Sequence, residues 1–92
     1  MTHAEEIMQA VATLVYIEGK DIFSREEIRQ RIGVSRDDWD LGYTAIFQGM
    51  REDHPGGAPN VGEKFKGVFR QVRRGEHTLT PYGNELLKEF MS

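Results

Sequence analysis

The chain has 92 residues with 15 acidic and 12 basic side chains, a net charge of −3 and no cysteine. That length is one domain near the lower limit for a core without staples. The missing thiols exclude disulfides and thiolate metal sites and fit a reducing, cytoplasmic setting. No apolar run approaches the roughly 20 residues that span a bilayer, and the opening Met1-Thr2-His3-Ala4-Glu5-Glu6 is acidic, unlike a secretory leader. The charge is unevenly spread. Residues 1–53 carry eleven acids against six bases, whereas residues 54–92 carry four acids against six bases, five of them between Lys64 and Arg74. A weakly acidic whole disfavours strong non-specific nucleic-acid binding, but one basic segment is enough for a local footprint.

In chain order, Ile7, Val11, Leu14, Val15 and Glu18 trace a helical stripe, apolar until its last position, and predict an amphipathic helix over residues 4–18 that Gly19 ends. Asp21-Ile22-Phe23 is too short for a helix; it reads either as a brief extended segment that pairs with a later hairpin or as a plain connecting loop. Next comes a doubled phrase. Phe23-Ser24-Arg25-Glu26-Glu27-Ile28 and Val34-Ser35-Arg36-Asp37-Asp38-Trp39 each place a serine at a helix N-cap, an acid three residues on for a capping box, and an apolar pair five apart for a staple. The second box is the weaker, since its acid is Asp38 and the usual partner is Glu or Gln. Gly33 between them suits the left-handed end of a helix. A helix over 25–32, a tight turn and a second helix from Arg36 follow, which is a helix-turn-helix arrangement.

In the first of these two, Ile28 and Ile32 are expected inward and Arg25, Arg29 and Arg31 solvated. The next helix, 36–51, carries the stripe Trp39, Tyr43, Ile46, Phe47 and Met50, a broad face that predicts much of the core. Gly42 and Gly49 each cost about 1 kcal/mol of helix propensity relative to Ala, which points to close packing or a loosened helix end. Residues 54–62 form a loop by composition, rich in Pro and Gly. Lys66–Arg73 alternates as a strand, with Val68, Arg70 and Val72 on one face. Arg74-Gly75-Glu76 makes a turn, and His77-Thr78-Leu79 returns as the second strand of a hairpin. Thr80-Pro81 caps a last helix with Leu86, Leu87 and Phe90 on its apolar side.

The order helix, helix-turn-helix, hairpin, ending in Leu79-Thr80-x-x-Gly83-x-x-Leu86-Leu87, resembles the winged-helix domain over residues 4–90. More narrowly, Phe47-Gln48-Gly49-Met50-Arg51 followed by a Pro-Gly-Gly loop is similar to small uncharacterised winged-helix-like domains, some of them attached to restriction-type nucleases. The resemblance implies an α+β fold with a three-helix core, a two-stranded wing and a C-terminal helix. It also implies helix 36–51 as the recognition helix, hairpin 66–79 as the wing, and neither enzyme activity nor a cofactor. Double-stranded DNA is then the expected partner, bound as a monomer or a homodimer, for a transcription regulator or an accessory of a nuclease system. The same fold also serves as a protein-interaction domain without DNA binding, so the fold leaves both open.

The residue types for DNA contact are present but mixed. Lys64, Lys66, Arg70, Arg73 and Arg74 are the candidates for backbone phosphates; the alternative is a solvated hairpin edge kept from aggregating by its charge. On the helix, Arg36, Thr44, Gln48 and Arg51 are the candidate readers, set among Asp37, Asp38 and Asp40, which match the helix dipole but repel phosphate. Other chemistries fit poorly. Gly57 and Gly62 have phosphate-loop spacing, yet Glu63 stands where the lysine belongs and no Ser or Thr follows Lys64. His3, His54 and His77 are scattered, without ligand spacing. Ser24, Ser35 and Thr80 are engaged as caps, so no nucleophile constellation stands out. The Asp37-Asp38-Asp40 and Glu52-Asp53 run reads as a solvated helix face, not a nuclease metal site.

Overall fold

A computed structural model describes residues 2–52 and 61–90. Helix α1 (His3–Ala12) begins at a capping box in which Thr2 accepts from the Glu5 N–H while the Glu5 side chain accepts from the Thr2 N–H. This is a third instance of the capping-box pattern. The helix then widens into a π turn over Thr13–Ile17, so the regular helix is shorter than the apolar stripe predicts. Ile7, Val11 and Leu14 are fully buried, Val15 is half-buried, and Glu18 pairs with Arg31.

Helix α2 (Arg25–Ile32) starts at Ser24 with both arms of its capping box closed. It ends at Gly33, whose φ of +88° places it in the left-handed region that side chains with a Cβ avoid. Ile28 is buried and Ile32 half-buried, as the spacing requires. One expectation is corrected: Arg29 is not solvated. Its side chain is only 18% exposed, pairs with Glu26 and donates to the Val34 carbonyl at 2.6 Å, bracing the turn into the next helix.

That next helix is continuous but not uniform. A first turn, α3 (Arg36–Asp38), is capped by Ser35; only the serine arm of the box forms, since the shorter aspartate provides no return bond. A π turn follows over Trp39–Tyr43, and α4 (Thr44–Gly49) completes the run. A turn closed by i→i+5 bonds holds more residues than the usual 3.6, so side chains four apart stay nearly in line. Trp39, Tyr43 and Phe47 are four apart and all buried, and the Trp39 and Tyr43 rings stack at 5.5 Å and 5°. Gly42 serves close packing: a Cβ there would meet His3 Nε2 at 2.9 Å. The expected helix 36–51 stops early, because Arg51 leaves the helix and pairs in parallel with Phe69.

Strands β1 (Phe69–Arg73) and β2 (Glu76–Leu79) form an antiparallel hairpin. The expected start at Lys66 is corrected, since residues up to Gly67 belong to a turn. The facing is corrected too. Val68 and Phe69 are both fully buried, whereas Val72 is 46% exposed, because the register slips between Gln71 and Arg73 and leaves Val72 as a bulge. Of the two readings of residues 21–23, the extended one holds. Phe23 and His77 exchange both backbone hydrogen bonds at 2.9 Å, and the Thr78 hydroxyl donates to the Asp21 carbonyl. His77 is itself 2% exposed, its ring edge-on to Phe47 at 4.9 Å.

Helix α5 (Pro81–Leu87) starts at Thr80 and buries Leu86 and Leu87, with Phe90 half-buried on a final 3-10 turn. The described residues thus form an α+β domain of packed helices around a two-stranded hairpin. The loop read at residues 54–62 lies mostly outside the described residues, as do His54, Asp53 and Met91-Ser92.

Gly83 marks where α5 crosses the sheet. A Cβ there would fall 2.2 Å from the Val68 carbonyl oxygen, a backbone atom that cannot swing aside. Gly83→Ala is expected to lower the unfolding free energy by about 1–3 kcal/mol or more, as overpacking does, measured by urea denaturation. A variant as stable as the parent would mean that α5 does not rest on Val68.

Candidate nucleic-acid interface

The basic residues fall into three places. Arg73 and Arg74 sit at the hairpin tip, where the chain reverses at Gly75 and both side chains are exposed. Arg70 lies along β1, also exposed, and Arg51 reaches the base of the hairpin, donating to the Gln71 side chain at 2.5 Å. Lys64 and Lys66 lie on the approach to β1, beside α5. Arg36 is also exposed, with 80% of its side chain in solvent at the start of α3. The two remaining candidates on that helix point less freely outward. Thr44 is half-buried with its hydroxyl turned toward the Trp39 carbonyl and the Asp40 carboxylate, and Gln48 is half-buried. Arg51 therefore joins the hairpin, and the helix contributes Arg36, Thr44 and Gln48 amid exposed Asp37, Asp38 and Asp40.

Nearly every base carries an acid of its own. Lys64 meets Glu89 at 3.0 Å, with its ammonium near the Phe65 and Phe90 rings; Lys66 meets Glu63 at 3.1 Å. Arg70 meets Glu52 at 2.6 Å, and Arg73 meets its cross-strand partner Glu76 at 2.7 Å. Among the described residues, Arg74 has no such partner. Composition showed five bases in eleven residues but not the four carboxylates that fold back on them; Glu52 and Glu89 come from other parts of the chain.

The same pairing recurs away from the hairpin. The Arg29 guanidinium holds the Glu26 carboxyl below its ordinary range, Arg31 does so for Glu18, and Lys20, helped by the Ser24 N–H, does so for Glu27. Among the described residues, no three His, Asp or Glu side chains converge in a way that would hold a metal ion, and no helix is long and apolar enough to cross a membrane. Comparison with known proteins gave no match, whether to family models, to curated sequences or to solved structures.

One polar cluster went unseen in the sequence. His3, Val34, Asp38, Gly42 and Tyr43 line a cleft of about 310 Å³ at the start of α3. The His3 ring lies 4.1 Å from that of Tyr43, and the buried Tyr43 hydroxyl donates to Glu6 at 2.9 Å. Thirty-seven residues separate the two, so no spacing rule joins them. Burial first, and then the bond to Glu6, push the Tyr43 phenol from 10.0 up to about 12. A raised folded-state value means the contribution of Tyr43 is complete below pH 10.0 and is lost as pH rises toward about 12. The urea midpoint should therefore fall across that alkaline window, and the fall should shrink in Tyr43→Phe; equal slopes would dismiss the phenol as the cause.

Proposed function

We propose that this chain is a winged-helix-type module that binds double-stranded DNA mainly through its hairpin, with Arg73 and Arg74 at the tip and Arg70 and Arg51 at the flank contacting backbone phosphates. The observation that carries this reading is the hairpin tip, where two adjacent exposed arginines project and the guanidinium of Arg74 has no acidic partner among the described residues. The element order supports it, as does the Leu79-Thr80-x-x-Gly83-x-x-Leu86-Leu87 phrase, whose threonine caps α5 and whose glycine lets that helix lie on Val68. In this reading α3 and α4 approach the major groove with little base readout. Arg36 and Gln48 are the available readers, and the neighbouring aspartates oppose phosphate. Binding is then largely independent of sequence and steeply dependent on salt.

A second reading has its own support. The exposed start of α3 presents Asp37, Asp38 and Asp40, a surface better suited to a protein than to a nucleic acid, and a winged helix serves that role equally well.

Fluorescence anisotropy with a random duplex at two salt concentrations separates the two. Binding at low salt is expected, with a dissociation constant on the order of 10⁻⁴–10⁻⁶ M near physiological salt, typical of backbone contact. Arg74→Ala should weaken it and reduce the slope of log K against log salt by about 0.9, one phosphate contact. No binding at low salt would reject DNA as the partner and leave the protein-interaction reading.

A further inference from the structure

The ion pairs of the basic segment have a consequence for selectivity. Four of its five bases each meet a carboxylate: Lys64 meets Glu89, Lys66 meets Glu63, Arg70 meets Glu52 and Arg73 meets Glu76. The two arginine pairs are the shortest, at 2.6 and 2.7 Å, and both lie on the hairpin that the DNA reading places against the duplex. In the two arginine pairs the carboxylate engages the Nε donor, one of the guanidinium edges that a phosphate would use. Their cost to exchange is small, since 38% of the Glu52 and 43% of the Glu76 side chain is exposed and water screens such pairs. A phosphate can displace them, but only by leaving an acid close to the bound anion.

We infer that Glu52 and Glu76 are specificity-determining residues that compete internally with phosphate for Arg70 and Arg73, so that Arg74 makes the first contact and the other two are released by partner exchange. This rests on the DNA-binding reading above. A hairpin built this way binds isolated anions poorly. It engages fully only where several phosphates are spaced to displace both carboxylates together. That property restrains non-specific adhesion by a chain whose basic segment would otherwise hold any polyanion.

The test measures duplex affinity by anisotropy at fixed salt for the parent, Glu76→Gln, Glu52→Gln, the double variant and Glu85→Gln. Glu85 is the control for net charge: it pairs with Lys88 on α5, away from the hairpin. Each of Glu76→Gln and Glu52→Gln is expected to bind the duplex roughly two- to five-fold more tightly, the range set by an exposed ion pair. The double variant is expected to combine the gains, while Glu85→Gln stays within about two-fold of the parent. Thermal unfolding of each variant confirms that it is folded. If Glu76→Gln and Glu52→Gln bind as the parent does while Arg74→Ala weakens binding, the competition is wrong and the DNA reading stands. Equal gains from Glu85→Gln would reduce the effect to net charge and also overturn it. If neither the parent nor any of the glutamine variants binds, it is the DNA reading that fails.

Discussion

Two residues where the chain enters β1, Val68 just before it and Phe69 its first, hold the separate elements in one arrangement. Their N–H groups both donate to the Met50 carbonyl, at 2.8 and 3.1 Å, and the Phe69 carbonyl accepts from Glu52 at 2.8 Å, which fastens the end of the α3–α4 run to the hairpin. The Val68 carbonyl accepts from the Thr80 N–H at 2.9 Å, and the Thr80 hydroxyl donates to Gly67 and Val68 while accepting from Gly83. Both side chains are fully buried, with Phe69 against Phe23 and Phe47. Helix end, strand and cap are thus satisfied at a single point, which removes the orphan backbone groups that each would otherwise leave in the interior. The hairpin projects from this point with its base fixed.

A fixed base gives the hairpin tip a defined direction, and what the tip presents is set by pairing more than by composition. Bases gathered between Lys64 and Arg74 suggest a strongly positive surface. In the fold four of the five are met by an acid, some from a neighbouring turn and some from the far end of the domain, and among the described residues Arg74 is the one without an acidic partner. Such exposed pairs add little to stability. Their effect is on the field around the hairpin, which becomes local and easily rearranged.

The α3–α4 helix is governed by its inward face. Trp39, Tyr43 and Phe47 demand burial at intervals of four, and the helix accommodates them by widening over Trp39–Tyr43 and by drawing His3 against Gly42. What remains exposed at its start is Arg36 among Asp37, Asp38 and Asp40. The acids that favour the helix start through its dipole are the ones that stand against phosphate there, so local stability and recognition compete for the same positions.

The sequence alone determined where helices begin and which face each buries, since a cap serine and an apolar stripe act within a turn or two of chain: Ser24, Ser35, Gly33, Thr80-Pro81 and the Trp39–Met50 face all behave as their local chemistry requires. It located the hairpin and its turn but not the inward position of Phe69 or the bulge at Val72, because register is fixed by the core that receives the strand. The π turns, the buried His77, the bond from Tyr43 to Glu6 and the pairing of Arg70 with Glu52 were decided by the tertiary structure. Each depends on groups that meet only when distant segments pack, and nothing in their sequence spacing announces the meeting. The basic segment was therefore legible as a candidate site, while its charge balance, which governs what the site can hold, was not.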